Sequence, residues 1–283
     1  MIKFAFLSEN KSGTSHIKAE WGLSVYIEAG GKKILFDAGA SETLYSENAK
    51  TMGIDLGAVD FAMVSHGHYD HTNGFPEFAR INDHAPIYIH KKAFGEVYGS
   101  ENGIIDSWPC SILWSEEEKR KLQSRIAYTD GPLWITEDIV ISGTVPMLPG
   151  HVMQEVFYEK TSDNKYIKDE LEHEQILAIR DRDENGESRG VYVFAGCCHR
   201  GALAALKCAQ GLFPGEEVKV FVAGMHLCIS PLSEIQKAVH EVEDAFNGII
   251  MPVHCSGMKA ICYMVSKLGD RCIPATAGDR FEY

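Results

Sequence analysis

Four candidate metal ligands, His66, His68, Asp70 and His71, lie within six residues of one another. Imidazole and carboxylate groups are ligands that zinc and related divalent metals bind in proteins. The apolar run 60–64 directly before them predicts a buried strand, which holds these side chains near the core. A histidine-rich surface loop is the alternative interpretation. The metal site is favoured, because imidazoles and a carboxylate crowded beside a core strand otherwise need other buried partners.

Three more histidines, His199, His226 and His254, each follow a short apolar segment that predicts a strand. In sheets covered by helices, ligands gather beyond the carboxyl ends of the strands, so we expect these positions to converge with His66. Strands and helices alternate in both halves of the chain, which predicts an α/β fold, a four-layer αβ/βα sandwich with the helices outside two sheets. No linker is evident, so residues 1–283 are predicted to form a single domain.

The pattern weakens between residues 91 and 131, and this segment is interpreted as an insertion. Insertions near a metal loop often act as lids or pocket walls. Trp108, Trp114 and Tyr128 are therefore candidates to line an apolar pocket. Packing within a small core of the insertion itself is the preferred alternative for these three side chains.

Two residues outside the histidine motifs are further candidates. Asp37 ends the predicted strand 33–36, where its carboxylate could support the ligands or serve as a helix cap or turn residue. His151 follows Pro149-Gly150 and is a candidate pocket residue, with an ordinary surface position as the preferred alternative.

The composition limits the function. A formal net charge of -13 argues against nucleic-acid binding, which depends on clustered Lys and Arg, so the expected partner is a small molecule. Eight cysteines without a leader sequence are typical of reduced thiols in a cytoplasmic protein. No apolar run is long enough to span a bilayer, so no membrane association is expected. The oligomeric state is not predicted.

Several motifs together resemble a known family. The run His-x-His-x-Asp-His at 66–71, preceded by Leu35-Phe36-Asp37-Ala38-Gly39, resembles the metallo-β-lactamase superfamily. The branch that the chain is most similar to is named for dihydropterin ribofuranosyl-aminobenzene phosphate synthases. Its resemblance is carried by residues 65–74 and by Gly196-Cys197-Cys198-His199-Arg200-Gly201, Gly224-Met225-His226-Leu227 and Pro252-Val253-His254-Cys255-Ser256-Gly257. It covers nearly the whole chain, and 91–131 is the least similar part.

The resemblance implies a metal site in a cleft between the two halves of the sandwich. His66 and His68 would bind a first metal. A second metal would be bound by Asp70, His71 and His254. These assignments are carried over from the family by position in the motifs.

Two further ligand positions depart from the family pattern. Many members have a Gly-His pair for the first metal and a Gly-Asp pair for a bridging aspartate. The order of motifs places His173 at the first position and either Cys197 or His199 at the second, with no aspartate there. His199 is preferred, and Cys197 is then an inert buried thiol. A thiolate ligand would instead favour zinc.

The expected cofactor is a divalent metal, as one or two ions, with zinc preferred and manganese or iron as alternatives. Such a metal lowers the pKa of bound water to about 7. Asp70 would act as a ligand and as the catalytic acceptor that orients the water, and His226 and Arg200 would contact the substrate. The predicted function is hydrolysis of a small anionic ester, phosphoester or lactone. The alternatives are a pterin-pathway synthase, an iron-dependent redox enzyme and a non-catalytic metal-dependent binding protein.

Overall fold

The computed structural model of the chain describes residues 1–101, 103–151, 153 and 156–283. The first part contains the strands β1 (Lys3–Ser8), β2 (Ser24–Ala29), β3 (Lys32–Phe36), β4 (Phe61–Met63) and β5 (Ile87–His90). Its helices are α1 (Leu44–Thr51), α2 (Tyr69–Thr72) and α3 (Phe75–Ile81). The following segment contains β6 (Val97–Tyr98), β7 (Ser100–Glu101), β8 (Ile104–Ile105), α4 (Glu116–Leu122) and β9 (Ile126–Thr129).

The second part of the chain repeats the alternation of strands and helices. Its strands are β10 (Leu133–Trp134), β11 (Ile139–Ile141), β12 (Tyr158–Lys160), β13 (Tyr166–Lys168), β14 (Leu177–Arg182), β15 (Ser188–Ala195), β16 (Val218–Gly224), β17 (Ile249–Val253) and β18 (Arg280–Glu282). Its helices are α5 (Ala202–Leu212), α6 (Leu232–Ala245) and α7 (Gly257–Leu268). Short 3-10 helices lie at Leu56–Ala58, His254–Ser256 and Gly269–Arg271.

Two mixed sheets form the middle layers. Within the described residues, the first sheet has the order β18-β1-β2-β3-β4-β5-β9 and the second the order β10-β11-β14-β15-β16-β17. The strands β3, β4, β5 and β9 run parallel, as do β15, β16 and β17. The carboxyl ends of these parallel strands carry the loops that form the candidate site.

Apolar side chains fill the space between the sheets and the space under the helices. Phe4 and Phe36 of the first sheet share a buried cluster with Phe194, Val222 and Met251 of the second. A second cluster joins the outer face of the second sheet to α5, α6 and α7. A third lies between the first sheet and α1 and α3. The layers are therefore helix, sheet, sheet and helix, which confirms the predicted αβ/βα sandwich.

The predicted insertion contributes to the main fold. Residues 126–129 form β9, the edge strand of the first sheet, which pairs with β5. Trp114 is buried, packs against Phe75 and donates from Nε1 to the carbonyl oxygen of Thr72 at 2.8 Å. Trp108 and Tyr128 are 82% and 54% exposed. Trp114 thus belongs to the core under the first sheet, rather than to a separate core of the insertion.

The residue types over 152–158 also predict a strand. Residues 152, 154 and 155 lie outside the described part of the chain, and among the others β12 begins only at Tyr158. None of the described helices combines the length and the hydropathy that a membrane span requires.

Candidate metal centre

The candidate ligands lie where the parallel strands of both sheets end. Among the described residues, six non-glycine residues have a positive φ, and four of them follow strand ends at this site: Asp37, Cys198, His226 and His254. Side chains other than Gly adopt this left-handed region at a cost, so such residues tend to occur at functional sites. Here the left-handed turns redirect the chain at the edge of each sheet, beside the cleft.

Three histidines, His66, His68 and His199, form one side of the centre. The His66 ring centroid lies 4.5 Å from that of His68 and 5.0 Å from that of His199, and the His68 and His199 centroids are 4.9 Å apart. All three residues are buried, and their Nε2 atoms have no hydrogen-bond partner among the described residues. A bound cation would supply the missing partner of these three nitrogens.

Ser65 sets the tautomer of His66. The Ser65 hydroxyl donates to Asp37 Oδ2 at 2.7 Å and lies 2.9 Å from His66 Nδ1. Because its proton is used toward Asp37, the Ser65 oxygen accepts from His66 Nδ1–H. This leaves a lone pair on His66 Nε2, on the side of the ring that faces the centre.

His71 is held in the same way by Asp37. His71 Nδ1 donates to Asp37 Oδ2 at 2.7 Å, and His71 Nε2 lies 3.2 Å from the sulfur of Cys197. Both His71 and Asp37 are fully buried. The carboxylate therefore orients the ring so that Nε2 points to the centre.

Asp70 and His254 complete this second side. Asp70 Oδ2 is 3.2 Å from His254 Nε2. Asn10 accepts from His254 Nδ1 through its Oδ1 at 2.9 Å, and the buried carboxylate of Glu9 accepts from the His254 backbone N–H at 2.6 Å. The end of β1 thus holds a ligand candidate from the far end of the sequence.

Cys197 lies between the two sides. Its sulfur is within 4.8 Å of the donor atoms of His66 and His199, and equally of those of His71 and His254. A third group of donors at the same spacing combines Cys197 with His226 and Cys255.

A close approach of the two sheets places Cys197 there. A Cβ atom at Gly196 would lie 2.2 Å from the hydroxyl of Ser65, so only glycine fits at this position. The end of β15 can therefore approach the histidine loop closely enough to bring the sulfur between the imidazoles.

Burial keeps the first group of histidines neutral. It lowers the pKa of His66 and His199 well below the usual range, and that of His68 to about 3. Burial has the same effect on His71, but the carboxylates of Asp37 and Asp70 outweigh it and raise the pKa of that imidazole to about 9. Neutral imidazoles offer the lone pairs that a metal requires.

The pKa values of the carboxylate and the thiols at the centre are also shifted. Burial opposes ionisation of Asp70, but the imidazoles of His71 and His254 lower its pKa below the usual range. Burial raises the pKa of the Cys197 thiol. Burial also acts to raise the pKa of Cys255, yet the hydrogen bond with Cys197 and the nearby imidazole of His254 lower it.

His173 is engaged elsewhere. Its Nδ1 accepts from the Gly67 backbone N–H at 3.1 Å, and its Nε2 lies 3.3 Å from Asp169 Oδ2. The His173 ring is parallel to that of His66, but their centroids are 6.4 Å apart. In this arrangement His173 supports the loop between His66 and His68.

The residue after it, Glu174, holds another ligand loop. Its buried carboxylate accepts from the backbone N–H groups of His199 at 2.7 Å and Arg200 at 2.8 Å. Burial raises the pKa of Glu174 despite these two donors. This carboxylate fixes the loop that carries Cys197 and His199.

The structure therefore brings together His66, His68, Asp70, His71, Cys197, His199 and His254. Cys197 and His199, which the sequence left as alternatives for one position, both reach the centre. Glu9, Asn10, Ser65 and Glu174 were not identified as supporting residues from the sequence. Glu9 and Asn10 could have been found from their position, because they are polar residues just beyond the end of a strand, as Asp37 and Ser65 are in the same sheet.

A cavity of about 780 Å³ opens beside the centre. His199, Arg200 and His226 line it together with His151, and the amino ends of α5 and α6 form two of its walls. His199 and His226 are neighbours, with ring centroids 4.3 Å apart. The two residues predicted to contact substrate thus face the same cavity as one of the ligand candidates.

Comparisons with known proteins bear on this site. A sequence profile described as the metallo-beta-lactamase superfamily matches residues 22–152. An uncharacterized protein of Methanocaldococcus jannaschii, MJ0448, is 30% identical over 251 residues, which cover 86% of each chain. The 7,8-dihydropterin-6-methyl-4-(beta-D-ribofuranosyl)-aminobenzene-5'-phosphate synthase of the same organism is 25% identical over 269 residues, covering 92% of this chain and 89% of the relative.

The fold has a close counterpart among solved structures. The crystal structure of Tm1679, described as a metal-dependent hydrolase of the beta-lactamase superfamily, superposes with a TM-score of 0.82. The match covers 100% of this chain and 99% of the other at 24% sequence identity. Because the sequence identity is this low, the comparison supports a shared fold only.

Proposed function

Because the chain belongs to the metallo-beta-lactamase superfamily, we propose that it is a metal-dependent hydrolase of a small anionic substrate. This membership confirms the resemblance seen in the sequence motifs. The observation that carries the proposal is the set of buried Nε2 atoms on His66, His68 and His199, which lack partners among the described residues. Buried polar atoms in native proteins are rarely left unpaired, and a bound cation is a partner that would satisfy all three nitrogens.

The donor atoms divide into two groups. His66, His68 and His199 would hold one ion, and a second group of Asp70, His71 and His254 would hold another. Cys197 would be shared between them, since its sulfur is within 4.8 Å of donors on both sides. Imidazole and thiolate donors favour zinc over manganese, which prefers oxygen ligands. We therefore propose zinc as the metal.

A bound divalent metal supplies Lewis acidity and a water nucleophile at neutral pH. The chain positions the other groups. Asp70 accepts a hydrogen bond at the centre, because its lowered pKa keeps it ionised at neutral pH. His226 faces the cavity next to His199, where it can contact a bound substrate.

The test combines metal analysis with a substrate screen. Protein purified without added metal should contain zinc, and the metal-loaded enzyme should turn over members of an ester and phosphoester panel. Asp70→Asn should lower kcat at least about a hundredfold, the range of a lost acid-base group. His84→Ala, at a side chain that is 59% exposed, is the control.

Two results would contradict the proposal. Unchanged metal content in a chain with both His66→Ala and His68→Ala would remove the metal assignment. A metal-loaded protein that turns over no panel member, and in which Asp70→Asn changes only ligand affinity, would be a binding protein.

A synthase activity is the second candidate. It is supported by the relative whose name describes synthesis of a dihydropterin joined to a ribofuranosyl-aminobenzene 5'-phosphate, which aligns with 92% of this chain. The same metal-loaded protein, assayed for condensation of a pterin with a ribosyl phosphate acceptor, distinguishes the two. Condensation without hydrolysis of the panel would favour the synthase.

A further inference from the structure

The cavity beside the metal centre has a wall built for an anion. Helix α5 begins at Ala202 directly after Gly201, and no side chain of the described residues caps its amino end. Within the described part of the chain, the backbone N–H groups of Ala202, Leu203 and Ala204 have no acceptor. All three residues line the cavity, and Ala202 and Ala204 are buried. Free N–H groups and the helix dipole at such an end attract a negative charge.

Arg200 is the second, independent feature of this wall. Arg200 is only 9% exposed and is one of the residues that line the same cavity. Nη1 donates to the carbonyl oxygen of Glu170, whereas Nε is buried without a partner among the described residues. The guanidinium interacts electrostatically with the carboxylates of Glu172 and Glu174, but it forms no direct ion pair with a carboxylate of the described residues. Burying a charge is costly unless it is paired, so a bound anion would stabilise this guanidinium.

His151 adds a third polar group to the wall. Its Nε2 donates to the carbonyl oxygen of His199 at 3.1 Å, and its ring lies 3.0 Å from the position of a Cβ on Gly201. The imidazole therefore rests against the residue that precedes α5.

The opposite wall has a different charge. Glu234 and Glu241 of α6 line the cavity there with Lys237, which lies 3.9 Å from Glu241. The net charge of that wall is negative, so an anion in the cavity is expected on the α5 side. Of the donors in the two metal groups, only His199 lines the cavity. A group bound at α5 thus lies to one side of the metal centre.

We propose that Arg200 and the amino end of α5 form an anion subsite, which binds a phosphate group carried by the substrate. The subsite rests on the proposed function, since it names the substrate class of the same centre. Converging backbone N–H groups suit the several oxygens of a phosphate, and a guanidinium can donate two parallel hydrogen bonds to it. The cavity volume leaves room for an organic group beyond the phosphate.

The test is a titration of the zinc-loaded, full-length chain with inorganic phosphate, followed by amide NMR and calorimetry. The amide signals of Ala202, Leu203 and Ala204 should shift. Arg200→Gln should weaken phosphate binding about tenfold, as expected when a charged hydrogen-bond donor is lost. Lys207→Gln, which removes an exposed charge from the same helix, should leave the Kd within twofold of wild type.

Ala202→Pro provides a second variant if Arg200→Gln does not fold. Proline is well tolerated at the first position of a helix, and it removes one N–H donor from the subsite. We expect binding to weaken about threefold to tenfold with unchanged helix content by circular dichroism.

Each outcome assigns the phosphate to a place. Unmoved α5 amides, or equal affinity in wild type, Arg200→Gln and Ala202→Pro, would overturn the subsite. If only signals of the ligand loop around His66 move, phosphate binds at the metal, and the subsite falls while the hydrolase proposal stands. If the α5 amides shift as expected but the ester panel shows no turnover, the hydrolase proposal falls and the subsite remains as a binding site.

Discussion

Replacing Asp37 by Asn tests how the structure prepares His71 to bind metal. Asp37 is fully buried and accepts three hydrogen bonds of 2.7 Å: Oδ1 from the Ser65 backbone N–H, and Oδ2 from the Ser65 hydroxyl and from His71 Nδ1. Asn retains a single carbonyl oxygen. Its backbone is not strained further, because Asn tolerates the φ of 57° as Asp does.

The amide changes the tautomer of His71. With the Asn oxygen facing the Ser65 N–H, its NH₂ group faces His71 Nδ1, which must then accept instead of donate. The ring proton moves to Nε2, the atom that points to Cys197 and the metal centre. Loss of such a supporting partner typically costs 10- to 100-fold in metal affinity. This range corresponds to about 1.4–2.7 kcal/mol.

The assay separates metal affinity from stability. Zinc affinity is measured by chelator competition, and unfolding by urea with and without zinc. We expect the metal-free Asp37→Asn protein to lose about 1–3 kcal/mol through the mismatched buried hydrogen bond. At zinc concentrations well above Kd, zinc should stabilise the variant by roughly 1.4–2.7 kcal/mol less than it stabilises the wild type, because the stabilisation by a ligand depends on its affinity for the folded protein.

Asp83→Asn is the matched control, because Asp83 is fully exposed and the same carboxylate-to-amide change is made there. The reasoning is refuted if Asp37→Asn binds zinc within twofold of this control. In that case the orientation of His71 would not depend on the carboxylate.

Three other changes test separate parts of the structure. In cobalt-loaded protein, Cys197→Ser should remove the thiolate-to-cobalt absorption that the exposed Cys262→Ser retains, and a band of full intensity would contradict the shared ligand. Glu174→Gln should lower the free energy of unfolding by about 1–3 kcal/mol in urea, because one of two buried N–H groups loses its acceptor, whereas the exposed Glu184→Gln should not. Burial acts to raise the pKa of Asp138, but the guanidiniums of Arg180 and Arg182 in β14 lower it. The contribution of the Asp138 ion pairs to the free energy of unfolding is therefore complete above about pH 4, and it is lost as the pH falls through the lowered pKa of the folded state. Asp138→Asn should therefore cost about 1 kcal/mol at pH 7 and nothing once the wild-type carboxyl is protonated, as measured by unfolding across pH.

The ligand positions could be predicted from the sequence because each follows a readable pattern. The histidines at 66, 199, 226 and 254 come directly after apolar segments, and strand ends of parallel sheets meet at one edge. The layers of the fold follow from the same alternation. The boundary of the insertion could not be predicted as well, since β9 is short and half-buried and its pattern lacks clear alternation.

The partners of two supporting residues, Glu9 and Glu174, could not be predicted, because they are backbone N–H groups far away in the sequence. Glu9 binds the N–H of His254, 245 residues further along. Glu174 binds the N–H of Arg200, and a carboxylate bonded to the main chain leaves no pattern in side-chain types. The role of Cys197 depended on the close packing of Gly196 against Ser65, which is a property of the folded sheets.

The arrangement of the donors links the metal to the stability of the whole sandwich. His66, His68 and His71 lie in the loop and short helix that follow β4 of the first sheet, whereas Cys197 and His254 follow β15 and β17 of the second. Among the described residues, the buried Nε2 atoms of His66, His68 and His199 lack a hydrogen-bond partner, and leaving such an atom unsatisfied costs about 1–3 kcal/mol relative to water. A metal that satisfies them also joins the two sheets at the edge where the left-handed turns are concentrated. The free-energy cost of those turns is therefore offset most fully in the metal-bound protein. The fold holds the donor atoms in position, and a bound metal then stabilises that arrangement.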